Sequence, residues 1–119
     1  MTSMNPLSFE LVLAPIPYFW PRGRVLSFYE AIAEAPVDTV VLGETVCARR
    51  AELRLPDWIA LGRDLAAAGK RVVLAGYALI ESESHLKWVR RLVEQDEFAV
   101  EANEMGTVRL LAAAGRRDW

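Results

Sequence analysis

The strongest constraint on this chain is a recurring alternation of two hydrophobic periods. Four short apolar runs, at 7–13, 38–42, 71–75 and 98–101, each give way to proline, glycine or polar residues, and each is followed by a stretch with helical spacing. The centres Val40-Val41-Leu42 and Val72-Val73-Leu74 are continuously apolar rather than alternating, as strands are when both faces are covered. The gaps between runs are long enough for the crossover connections that parallel strands need. The expected class is therefore α/β with a parallel sheet.

Between the runs, the local signals are those of helices. Pro15 and Pro17 stop the first run, Tyr18-Phe19-Trp20 makes an aromatic loop, and Pro21 is placed to open a helix. Val25, Phe28, Tyr29 and Ile32 recur at three- and four-residue steps, giving that helix one apolar face. A second helix is expected to open near Pro56-Asp57, to bury Leu55, Trp58, Ile59, Leu65 and Ala66, and to close at Gly69. Ser82 or Ser84 can cap a third, which carries Leu86, Val89, Leu92 and Val93. Asn103 is expected to cap a fourth, through Val108 and Leu111.

These units form one domain, 7–119, behind a short tail, 1–6. Four parallel βα units make either a small open sheet or the N-terminal half of an eight-stranded TIM-type (β/α) barrel. The barrel half is the expectation, with the chain truncated relative to the complete fold. Segments 15–20, 43–50, 76–84 and 101–105 would then share one rim, because the loops after barrel strands converge. An isolated half leaves a strand edge and apolar surface for a missing half or a partner to cover.

Composition narrows the function classes. A chain of 119 residues, 53% hydrophobic and 25% charged, is globular and can bury a small core. Its net charge of -2 and the lack of a long basic stretch give no electrostatic case for nucleic acid. A single cysteine makes no internal disulfide and directs the expectation to the cytoplasm. No apolar stretch has the length of a transmembrane segment, and the opening residues lack the basic region of a secretion signal.

Cys47, just past the second run, is the leading candidate for chemistry. A thiolate is a soft metal ligand and a nucleophile, and Arg49 and Arg50 stand close enough in sequence to favour it. Packing as a small apolar residue is the alternative. No CxxC spacing is present, so this chain alone supplies no cysteine-only metal site. Glu44 and Glu101 follow or end strands, where they can meet a cation, a hydroxyl or a proton, or stand as rim carboxylates in solvent. Asn103 is more readily a helix cap than a ligand. Tyr18, Phe19 and Trp20 can wall an aromatic site, plug the mouth or pack on the first helix. His85 reads as a surface or capping residue. Arg22 and Arg24 can contact an anion, although a helix start alone says little. Nucleophile-elbow, dinucleotide and phosphate-loop patterns are absent.

Larger motifs carry a resemblance. Pro15-Ile16-Pro17-Tyr18-Phe19-Trp20, Phe28-Tyr29, the run from Ala35-Pro36-Val37-Asp38 through Gly43-Glu44-Thr45-Val46-Cys47-Ala48-Arg49-Arg50, then Asp57-Trp58, Ala68-Gly69-Lys70-Arg71-Val72-Val73-Leu74 and Val100-Glu101-Ala102-Asn103-Glu104-Met105-Gly106 together resemble the amino-terminal part of the U32 peptidase-like family, especially its UbiV branch. The resemblance implies a barrel-like fold with an oxygen-sensitive [4Fe-4S] cluster, for which Cys47 matches the amino-terminal cysteine ligand. The family's three further cysteines come from its later half and have no counterpart here. Arg116-Arg117-Asp118-Trp119 also departs from the family's path. The resemblance further implies a UbiU-like heterodimer partner and a role in oxygen-independent ring hydroxylation in ubiquinone biosynthesis, with this piece inactive alone. A U32-type peptidase fragment and a non-enzymatic partner-binding α/β module are the alternatives.

Overall fold

The computed structural model describes residues 8–119. The elements run β1 (Val12–Leu13), α1 (Arg22–Ile32), β2 (Thr39–Leu42), a 3-10 turn (Ala48–Arg50), α2 (Leu55–Ala67), β3 (Arg71–Ala75), α3 (Glu83–Glu94), β4 (Ala99–Glu101) and α4 (Met105–Ala113). The strands form one parallel sheet in the order β1-β2-β3-β4. Each crossover therefore steps to the next strand in the same direction, and right-handed connections of that kind put their helices on one face.

Register and burial agree with that geometry. Val40 lies opposite Val72, and Leu42 opposite Leu74, which in turn pairs with Val100. These side chains share a single core with Val25 and Tyr29 of α1, Trp58 and Leu65 of α2, Val89 and Leu92 of α3, and Leu111 of α4. The alternate strand positions, Val12, Thr39, Val41, Arg71, Val73, Ala99 and Glu101, line the opposite face. The carboxyl-terminal segment reaches that face through Arg117, Asp118 and Trp119, and the Glu10 carboxylate accepts the Thr39 hydroxyl there at 2.8 Å.

Helix starts follow local chemistry. The Pro21 carbonyl accepts the Arg24 and Val25 N–H groups and opens α1. Pro56 sits in the first turn of α2, where Asp57 reaches back to the Arg54 N–H at 2.9 Å. Ser82 is the cap of α3, its hydroxyl accepting the His85 N–H at 3.2 Å. Gly69 adopts φ +92° just past α2, as a helix-ending glycine does. Where α2 crosses the sheet, Gly62 permits close approach: a Cβ there would stand 2.9 Å from the Phe98 ring and 3.2 Å from Val72.

Several sequence expectations need correction. The first strand is shorter than 7–13: only Val12–Leu13 pairs, and Leu7 lies outside the described residues. Its partner β2 starts at Thr39, and the N–H of Leu11 goes instead to the Asp38 carboxylate at 2.7 Å. Ala66 is exposed rather than buried, because Leu61 and Leu65 supply that stretch of the α2 core face. Asn103 is not the cap of α4. Glu104 holds that position and accepts the Gly106 and Thr107 N–H groups at 2.7 and 2.5 Å.

The edge of β4 is not bare. The Val100 N–H donates to the Asp118 carbonyl at 3.0 Å, so the carboxyl-terminal segment runs beside the strand. Arg116 fixes that segment: its guanidinium donates to the carbonyls of Val93, Gln95 and Phe98 at 3.0, 2.5 and 2.9 Å and also pairs with Asp118. The Trp119 indole N–H closes the turn onto the Arg116 carbonyl at 2.9 Å.

Candidate functional site at the carboxyl ends of the strands

The loops after the strands meet, and glycine lets them. Gly43 has φ +137°, and a Cβ there would come within 2.9 Å of the Ala75 carbonyl oxygen. Only glycine combines that backbone with that approach. Gly76, which ends β3, donates its N–H to the Glu101 carbonyl at 2.9 Å and accepts the Asn103 side-chain amide at 2.8 Å. Asn103 thus ties the β3 and β4 loops together.

Glu44 organises the loop that carries Cys47. One carboxylate oxygen accepts the Val46 and Cys47 N–H groups at 2.9 and 3.2 Å. The other lies 3.8 Å from Nε of Arg50. Arg50 turns away from the thiol: it donates to the Pro17 carbonyl at 3.2 Å and lies 5.5 Å from the Phe19 ring centre. Its buried Nε has no hydrogen-bond partner. A small cleft of about 30 Å³ lies between these loops, bounded by Tyr18, Phe19, Trp20, Glu44 and Arg50. Of the sequence candidates, these five meet at this cleft.

Cys47 itself is half-buried at the foot of the 3-10 turn. It lines a separate recess of about 80 Å³ with Arg49, Tyr77, Leu79, Glu81 and His85. His85 is a capping residue here, since its Nδ1 accepts the Glu81 N–H at 3.2 Å. Among the described residues, no three His, Cys, Asp or Glu side chains converge to hold a metal. Glu101 is not at this recess or in the Glu44 cleft. Its side chain lies on the open sheet face with Arg71 and Arg117.

The aromatic loop is partly solvent-facing and partly anchored. Tyr18 and Phe19 are exposed, whereas Trp20 packs edge-on against Phe28 of α1 at 5.5 Å, with Arg24 4.3 Å above its ring. Arg22, the other arginine at that helix start, forks onto Asp57 at 3.1 and 3.2 Å. This pairing holds the Asp57 carboxyl below its ordinary range.

Tyr77 and Trp88 were not singled out by sequence reasoning. Tyr77 is buried beside Cys47, its ring stacked 4.3 Å from Trp88, and burial followed by the charge of Glu44 pushes its phenol up. The available signal was position, since Tyr77 comes directly after the glycine that ends β3. No helix among the described residues is long and apolar enough to cross a membrane. No protein-family model matches the chain, and no solved structure matches it significantly.

Proposed function

We propose that this chain forms the first half of a TIM-type (β/α) barrel of the U32 peptidase-like family, UbiV branch. In that role it is a cytoplasmic iron–sulfur component of oxygen-independent ring hydroxylation in ubiquinone biosynthesis, acting with a UbiU-like partner. The observation that carries the reading is the position of Cys47. Cys47 stands at the carboxyl-terminal rim after β2, half-exposed in a recess of mixed polar and apolar lining, and is not among the residues of the aliphatic core. Barrel chemistry is gathered at that rim. Further support comes from the consecutive strand order and the helices gathered on one face.

One thiolate does not hold a cluster that takes four ligands. The described residues therefore do not fit a [4Fe-4S] group by themselves, and the remaining ligands in this proposal come from outside the chain. What the chain supplies is the placement of a single sulfur, with the Glu44 carboxylate on the Cys47 N–H, in a recess it shares with Tyr77 and His85.

The test is anaerobic co-purification of the chain with a UbiU-like protein, with iron and acid-labile sulfide measured on the complex. Both are expected, and both are expected to be lost in Cys47→Ser while the complex persists. A complex whose iron is indifferent to Cys47, or two proteins that never associate, would refute the assignment. The sheet face away from the helices, with Val12 and Arg71 exposed on it, favours a second reading, a partner-binding α/β module without redox chemistry. A stable metal-free complex would favour it.

A further inference from the structure

We propose that the cleft between α2 and α3 binds an organic anion with a flat apolar body, its carboxylate held by Arg54 and Arg91 and its ring laid against Trp88. The cleft encloses about 620 Å³, inside the range of roughly 300–1,000 Å³ usual for small-molecule sites. Leu53, Leu55 and Ile59 make its apolar wall. The ionisable side chains lining it are three arginines and Tyr77, with no carboxylate among them. On a chain of net charge -2 this is a local reversal of sign, and a concave apolar surface concentrates such a field.

The three arginines are not equivalent. Arg63 is neutralised by Glu97, which accepts two hydrogen bonds from it at 2.7 and 2.8 Å. Asp57, whose charge bears on Arg54, already accepts the Arg22 fork and the Arg54 backbone N–H. Among the described residues, neither the Arg54 nor the Arg91 guanidinium donates a hydrogen bond to protein. A planar guanidinium matches a carboxylate in fork geometry. Trp88 is backed by Tyr77 at 4.3 Å with 22° between the planes, so its ring is braced as a stacking platform. This inference is independent of the iron–sulfur reading, because no metal enters it.

The full chain is titrated with naphthoate and, in parallel, with its neutral counterpart naphthylmethanol. Affinity is read by calorimetry, and location by the Trp88 indole resonance, assigned through its loss in Trp88→Phe. Naphthoate should bind and move that resonance. Loss of the carboxylate, or the double change Arg54→Gln with Arg91→Gln, should weaken binding by about tenfold or more, the cost of a lost charge-assisted hydrogen bond. Arg109→Gln, exposed on α4 and outside the cleft, should leave it unchanged. Both cleft arginines are exposed, so these variants should keep the native circular dichroism. Equal affinity for the two compounds, full affinity in the double variant, or no binding of naphthoate at millimolar concentration would each overturn the proposal. So would occupation of the cleft by an acidic amphipathic peptide that naphthoate cannot displace.

Discussion

Tyr29 is the residue at which packing and polarity are most in conflict. It is 1% exposed, and its hydroxyl has no hydrogen-bond partner. A buried orphan of this kind costs about 1–3 kcal/mol, so Tyr29→Phe should raise stability by about 1 kcal/mol in urea denaturation. Burial also pushes the Tyr29 phenol well above its ordinary value of 10.0. The unfolded chain therefore releases that proton first, and the contribution to stability, complete below pH 10.0, declines as pH rises beyond it. Part of the alkaline loss of stability should disappear in Tyr29→Phe. Glu104 has the opposite sign. Burial opposes its ionisation, but the Thr107 hydroxyl and the Gly106 and Thr107 N–H groups outweigh burial and hold the carboxyl below its ordinary 4.5. Its contribution is present above pH 4.5 and fades as pH falls through the depressed value. Glu104→Ala should cost about 1 kcal/mol at neutral pH, as loss of a helix cap does, and less in acid.

At the scale of elements, the carboxyl-terminal segment is held by the Arg116 side chain together with the backbone bond from Val100 to Asp118. Arg116 gathers the carbonyls of Val93, Gln95 and Phe98, at the end of α3 and just before β4, while Arg117 is exposed. Arg116→Ala should destabilise by about 2 kcal/mol, since hydrogen bonds to a charged group are lost and the carbonyls are left short of donors. Arg117→Ala should stay within about 0.5 kcal/mol, as surface changes usually do; thermal melts of the two variants compare them directly. Nothing in the local sequence announces this clasp, because its partners are far apart along the chain. The strand centres were legible for the opposite reason. Val72-Val73-Leu74 and Val40-Val41-Leu42 declare themselves by continuous hydrophobicity, and Pro21, Ser82 and Gly69 mark helix ends by local chemistry alone. Asn103 and Glu104 are adjacent potential caps, and tertiary contact decides between them: Gly76 takes the Asn103 amide, leaving the cap to Glu104. Tyr77, the recess around Cys47 and the cleft beside Trp88 all depend on which loops and helices meet, which spacing along one chain does not encode.

For the molecule as a whole, the one-sided cover of the sheet gives neighbouring residues different fates. Val72 faces the helices and Val73 the other side. Val72→Asp should cost about 3 kcal/mol or more, the penalty for an unpaired polar group in the core. Val73→Asp should leave the fold intact by circular dichroism yet prevent association with a partner that completes the sheet. Similar loss of stability in both variants would mean that both faces are core. The rings that lead inward from the rim have a use of their own. Tyr18, Trp20, Phe28, Tyr29 and Trp58 follow one another at centroid separations of 6.0, 5.5, 5.2 and 6.3 Å. Of these contacts, the one between Trp20 and Phe28 joins the outermost loop to the first helix. The wavelength of Trp20 emission, which lengthens as an indole enters water, is thus a gauge of whether that loop still rests on the helix, with no dye attached.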